Sequence, residues 1–298
     1  MPVRLACAAS ILLLAAAGCA AGAPAPGPTP GPTPSPAPVV VPPPGEQARR
    51  LAVPFDAYNF SPAEIMTIES ARELLIRDCM RGQGLTWDPL PRPAEDDVEP
   101  QNRRRYGVIE PDIARIFGFH APFDRPSVAR RDAQRAARSA RLPPAARQAA
   151  YGEPADGSDG CSGRARAHLL KDAPKVDPSL FNTLITRTFA QSRSDAGVRR
   201  AFRSWSACMK GEGFAYPDPL AAVTDERWLT APVPSRQEIA AARADVACKR
   251  QGGLVAVWAA AEQPIQRAAI DAHPGYFRTL KVRKDRQLQA AGRVLARG

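Results

Sequence analysis

Cys79-Met80-Arg81-Gly82-Gln83-Gly84-Leu85-Thr86-Trp87 is answered later in the chain by Cys208-Met209-Lys210-Gly211-Glu212-Gly213-Phe214-Ala215-Tyr216. The cysteine, the methionine and both glycines are identical. Arg81 pairs with Lys210, Leu85 with Phe214 and Trp87 with Tyr216, and each copy then runs into a proline loop, Asp88-Pro89 or Pro217-Asp218-Pro219. Agreement of this kind marks an internal repeat, which has to be recognised before a fold is argued. Each copy reads as a helix that ends at the basic residue, is capped by a glycine in the left-handed region and leads into an extended segment bearing the aromatic.

Outward from these two points the signals are helical. Ser61-Pro62-Ala63-Glu64 is a capping box with proline at the first helical position, followed by Ile65, Ile68, Leu75, Ile76 and Cys79. Asp177-Pro178 opens a second helix through Leu180, Leu184, Ile185 and Phe189, and a third carries Val198, Phe202, Trp205, Cys208 and Met209. Ser235-Arg236-Gln237-Glu238 is another capping box. Its helix runs through Ile239, Val246 and Cys248 and is expected to continue past Gly252-Gly253 toward Ile270, kinked by the glycines and Pro264. A charged helix over 276–294 closes the chain. Alternating strand patterns are nearly absent, so the expected fold is all-α: an irregular helical domain with long loops, made of two divergent repeats over 55–175 and 176–298.

Cys161 follows the first copy and Cys248 the second, which gives four cysteines in the folded part. Two disulfides are expected, with three connectivities open. The repeat favours Cys79 with Cys161 and Cys208 with Cys248, one staple per copy. A soft-metal reading also exists, because thiolate and thioether suit Cu(I). Adjacent Cys and Met on a helix, however, point about 100° apart.

The stretch between the first motif and Cys161 is acidic at Glu95, Asp96, Asp97 and Glu99, then basic at Arg103, Arg104 and Arg105. Its apolar cluster lies between Tyr106 and His120. An alanine-rich helix follows, on which Arg131, Arg135 and Arg138 share a face. That face is either an anion-binding ridge or a solvated helix side. Trp87 and Tyr216, with these arginines, are the candidate contact surface, against the alternative that the two aromatics pack into the core. His120, His168 and His273 lack metal-ligand spacing, and no nucleophile elbow, phosphate loop or dinucleotide fingerprint occurs. No catalytic, metal or cofactor residue is therefore assigned. Asp156-Gly157-Ser158-Asp159-Gly160 resembles a calcium loop but lacks the distal glutamate, and reads as a turn.

The first 54 residues carry a different message. Arg4 precedes the apolar run from Leu5 to Ala17, which is too short for a permanent span. Ala16-Ala17-Gly18-Cys19 closes it, and this segment resembles the lipobox of bacterial lipoproteins. The resemblance implies a signal peptide over 1–18, acylation (palmitate) of Cys19 and anchoring on the extracytoplasmic face of the cell membrane. From Pro24 to Pro44 proline falls at nearly every second position. Such a tether rises as polyproline II by about 65 Å. The formal net charge of +11 favours an anionic partner, such as an envelope polymer or lipid. Nucleic acid is not expected, because no aromatics interleave with the arginines. Lipobox, tether, Asn102-Arg103-Arg104-Arg105-Tyr106-Gly107, Phe117-Gly118-Phe119-His120 and the paired motifs together resemble actinobacterial secreted lipoproteins, a likeness that implies no activity. The reading is a tethered, non-catalytic binding module; the alternatives are an envelope hydrolase and a thiol-redox or copper-handling lipoprotein.

Overall fold

Proline marks where many of the helices begin, because its missing N–H costs nothing in the first turn. The computed structural model describes residues 40–153 and 159–298. The expected signal peptide over 1–18, Cys19, most of the expected tether and the expected turn at Asp156-Gly157-Ser158 lie outside the described residues. In chain order the helices are α1 (Glu46–Arg50), α2 (Pro62–Arg81), α3 (Pro111–Phe117), α4 (Pro126–Arg141), α5 (Pro144–Tyr151), α6 (Gly160–Leu170) and α7 (Ser179–Arg193). They continue as α8 (Ala196–Gly211), α9 (Pro219–Val223), α10 (Glu226–Leu229), α11 (Arg236–Gln251), α12 (Leu254–Ala272) and α13 (Pro274–Leu295). No strand occurs among the described residues, and none of these helices is long and apolar enough to cross a membrane.

Residues 40–298 form one unit. Its main core gathers Trp205 of α8, Val246 of α11 and Trp258 of α12 around Tyr106, Val108, Ile113, Phe117 and Phe119. A second cluster joins Ile76 and Met80 of α2 to Trp87, Ala146, Cys161 and Ala165. A third packs Phe55 with Phe181 and Phe277, and a fourth packs α2 against Leu169, Ala290 and Ala291. The disulfides are Cys79–Cys161 and Cys208–Cys248, the pairing that the repeat favours.

Both motifs end their helices in the same way. Gly84 N–H donates to Arg81 O and Leu85 N–H to Met80 O; Gly213 N–H donates to Lys210 O and Phe214 N–H to Met209 O. This is the Schellman arrangement, in which the residue after the glycine folds back on the methionine three places before the cap. The left-handed residue is therefore the second glycine of each copy, Gly84 at φ +70° and Gly213 at φ +88°. The first glycine stays in the right-handed region at Gly82 (φ −61°), one residue past the helix end. Met80 and Met209 are fully buried, and a disulfide sulfur offers no thiolate to a soft metal. The expected run-on at Gly252-Gly253 is instead a break. Gly253 adopts φ +59°, α11 stops at Gln251, and Pro264 lies inside the separate helix α12.

The run Asn102 to Gly107, which opens a strap continuing to Phe119, is bonded inward through each side chain from Asn102 to Tyr106. Asn102 Nδ2 donates to Asp56 Oδ2 (2.7 Å) and Arg103 to Glu99 and Glu110. Arg104 donates to the carbonyls of Phe119 and His120, and Arg105 pairs with Glu262. Tyr106 OH donates to Glu262 Oε2 at 2.8 Å. At Gly107 (φ +80°) a Cβ would stand 2.8 Å from Lys249 Nζ, which is why no side chain fits.

Candidate functional site

A groove of about 590 Å³ lies between the segment that follows the first Schellman turn and one face of α4. One wall is Thr86, Trp87, Asp88, Pro89, Leu90 and Pro91, held extended because proline excludes helix from itself and from the residue before it. The other wall is Gln134, Ala137, Arg138 and Arg141, spaced at i, i+3, i+4 and i+7 along one helix face, with Leu142 and Pro143 closing the end.

Glu73 organises the groove from beneath. Its carboxylate accepts from Trp87 Nε1 (3.0 Å), Leu90 N–H (3.3 Å) and both terminal nitrogens of Arg138 (2.6 and 2.8 Å). Burial pushes this carboxyl up, but the Arg138 hydrogen bonds and charge, with those of Trp87 and Leu90, outweigh it and hold it below its usual range. The Arg138 guanidinium also stacks 3.9 Å from the Trp87 ring and donates to Asp88 O. Arg131 is fully buried and donates to the carbonyls of Leu90 (3.3 Å) and Pro91 (2.7 Å), fixing the wall from behind. Its Nε and Nη2 have no partner among the described residues.

Neither alternative, anion-binding ridge or solvated helix side, describes this face as a whole. Arg131 and Arg138 turn inward as structural cations, because each finds oxygens on the 73–91 side that α4 packs against. Only Arg135 is solvated, 3.6 Å from Asp132. The cation open to the groove is Arg141, which lies beyond the three residues singled out. It is exposed and has no hydrogen bond or ion pair among the described residues. Of the two readings of the aromatics, core packing is the one that fits, since Trp87 and Tyr216 are both buried in hydrophobic clusters, and they do not share one surface. Trp87 lines the groove, although it is largely buried. Tyr216 belongs to the clamp of another loop, where its OH donates to Asp225 Oδ2 (2.8 Å) and accepts from Arg227 Nη2 (2.8 Å). Burial first, then Asp225, pushes its hydroxyl up to about 12.

Compared with protein families, curated proteins and solved structures, the chain matches none.

A second polar constellation was hidden in the capping box at Ser235. Ser235 Oγ does accept from Glu238 N–H, but the Glu238 side chain does not reach back to the cap. It turns into the core with no exposed surface, where Oε1 accepts from Phe119 N–H (2.8 Å), His120 N–H (3.2 Å) and His120 Nδ1 (2.7 Å). Gly118 at φ +57° permits the approach, since a Cβ there would lie 2.6 Å from Glu238 Oε1. The other ring nitrogen of His120 meets Ala231 O at 2.8 Å. A carboxylate and a carbonyl only accept, so both contacts are satisfied by the imidazolium alone. The Ala231 carbonyl above all, and then Glu238, raise the His120 pKa against the opposing effect of burial. The sequence signal for this site was the glycine inside Phe117-Gly118-Phe119-His120.

Proposed function

We propose that this chain is a lipid-anchored, extracytoplasmic binding module that takes an anionic ligand with an apolar face into the groove between 86–91 and α4. The observation that carries the reading is the composition of that groove. Its walls are Trp87, Leu90, Leu142 and prolines, its fixed cation Arg138 is already matched by Glu73, and Arg141 stands uncommitted at the rim. A volume of about 590 Å³ falls within the usual range for small-ligand pockets, roughly 300–1,000 Å³. The net charge of +11 acts in the same direction by attracting anions over distance. The lipobox-like Ala16-Ala17-Gly18-Cys19 and the proline tether support the location.

The test screens anionic wall-glycan fragments, anionic lipids and small carboxylates by calorimetry against the folded chain and its Arg141→Gln variant. Binders are expected to lose about five- to tenfold in affinity in the variant, the equivalent of about 1–1.4 kcal/mol. Ala137→Trp, which fills the groove, is expected to abolish binding without lowering Tm. If no compound binds, or binders ignore both substitutions, the groove is not the site. Mass spectrometry of protein extracted from native membranes tests the anchor separately, through the acyl mass on Cys19.

A further inference from the structure

Three of the four disulfide cysteines, Cys79, Cys208 and Cys248, lie in the last turn of a helix, and the fourth, Cys161, lies at a helix start. Cys161 is the second residue of α6, where unpaired backbone amides and the positive end of the helix dipole lie. Arg164, one turn further on, places Nη2 2.9 Å and Nε 3.2 Å from Cys79 Sγ, and the same Nη2 lies 3.3 Å from Cys161 Sγ. Gln83 Nε2 lies 3.1 Å from Cys161 Sγ and 3.7 Å from Cys79 Sγ. Disulfide sulfur is a poor acceptor and thiolate a good one, so these donors suit the reduced state better than the oxidised state. Access is unequal too: Cys79 is half-buried and Cys161 fully buried. Beside them is a cavity of about 480 Å³ lined by Gln83, Gln148, Asp159, Gly163 and Arg164.

Cys208–Cys248 has the same unequal access, with Cys208 half-buried and Cys248 buried, but no guanidinium or amide donor at its sulfurs and no helix N-terminus. Both cysteines lie in the last turns of their helices, α8 and α11, at the negative ends of the dipoles. Beside Cys208 Sγ stands an oxygen, Gln251 Oε1, at 3.5 Å. A thiolate formed there would face partial negative charge.

We infer that Cys79–Cys161 is a thiol-exchange site, attacked at Cys79 with Cys161 as the leaving thiolate, and that Cys208–Cys248 is a fixed staple. In the first step the thiolate of a small external thiol forms a bond to Cys79 Sγ. The Cys79–Cys161 bond breaks, and its electron pair leaves on Cys161 Sγ, where the α6 amides, Arg164 and Gln83 receive it. A second external thiolate then attacks the external sulfur of the mixed disulfide. Cys79 leaves as thiolate, and the two protein thiolates recover the protons released by the two external thiols. Two thiols are oxidised to one disulfide while one protein disulfide is reduced. A leaving thiolate stabilised by hydrogen-bond donors and a helix N-terminus departs faster, which gives the site its direction. This inference stands on the sulfur surroundings and is independent of the ligand groove.

Glutathione is the probe. The full folded chain is incubated in native buffer, quenched with acid, alkylated and mapped by peptide mass. Glutathione is expected on Cys79, alkyl label on Cys161, and an intact Cys208–Cys248, with opening at the first site faster by at least about tenfold. Arg164→Gln should slow that opening about three- to tenfold while the second disulfide and Tm stay unchanged. Equal opening of both disulfides, glutathione on Cys161, or no effect of Arg164→Gln would each overturn the inference. The first two readouts need no variant, so they hold even if the substitution perturbs folding.

Discussion

Replacing Lys249 by methionine should be among the most damaging single changes in this fold, although Lys249 lies far from the groove. Its ammonium and the Asp245 carboxylate are both essentially unexposed and 2.7 Å apart. Nζ also donates to Val108 O (2.9 Å), and Trp205 Nε1 donates to Asp245 Oδ1 (3.0 Å). Burial pushes the Asp245 carboxyl up and the Lys249 ammonium down, while their attraction opposes both shifts. Removing the ammonium leaves a carboxylate in the core with one indole donor, and it orphans the Val108 carbonyl on the strap. Breaking a buried pair in this way costs about 3–5 kcal/mol. For a chain of this size each kcal/mol moves Tm by about 2–4 °C, so Tm should fall by roughly 6–20 °C. Calorimetric melting at pH 7 without reductant measures it. Lys249→Met combined with Asp245→Asn removes both charges and keeps an acceptor for Trp205, so the double variant should recover much of the loss. A single-variant cost below about 1 kcal/mol, as expected of surface pairs, would refute the argument; so would a double variant whose loss equals the sum of the singles.

The His120 clamp gives a pH dependence of definite sign. Because its folded pKa is raised above 6.5, its stabilisation is fully present below that value and is lost as pH rises through the folded pKa. Tm of the native chain should therefore decline as pH rises above 6.5 relative to His120→Gln, and parallel curves would remove the clamp. Glu73 acts in the opposite direction. Its lowered carboxyl stabilises fully above the ordinary value of 4.5 and progressively less as pH falls through the folded value. Glu73→Gln should cost about 1.5–3 kcal/mol at pH 7 by denaturant titration and flatten the acid limb. Gly84→Ala and Gly213→Ala should each cost about 1–2 kcal/mol by chemical denaturation, since both need the left-handed region. Gly211→Ala, in right-handed backbone with no atom within 4 Å of its added Cβ, should instead stabilise by about 0.4–1 kcal/mol.

The contrast between the two glycines of each motif shows where reading the sequence succeeds and where it stops. Spacing identified the helix ends and favoured the disulfide partners, because those follow from local periodicity and from the likeness of the two stretches. Which glycine caps the helix depended on a hydrogen bond to a carbonyl five residues back, and the pattern alone did not choose it. The groove was half legible. Trp87 and Arg138 were named, but Glu73 looked like one more charge on an amphipathic helix. Glu238 was hidden more deeply, since Ser235 three residues earlier gave its carboxylate a sufficient role at the surface. In each case the deciding partner is distant in sequence. Arg105 and Tyr106 meet Glu262, Arg138 meets Glu73, and His120 meets Glu238. Periodicity reports which face of a helix is buried and says nothing of a charge neutralised from another part of the chain.

The strap from Asn102 to Phe119 also has a consequence in time. A chain is made from its N-terminus, so Val108, Ile113, Phe117 and Phe119 emerge well before Trp205, Val246 and Trp258, the side chains that enclose them. Cys161 emerges earlier than these partners, so the Cys79–Cys161 staple can close on its own section while the main core still lacks three of its helices. Until α12 has been released the strap's apolar residues stay open to neighbouring chains, and exposed surface of this kind drives aggregation. Crowded, rapid synthesis should thus be harder on this protein than on one of equal size whose core is built from consecutive helices.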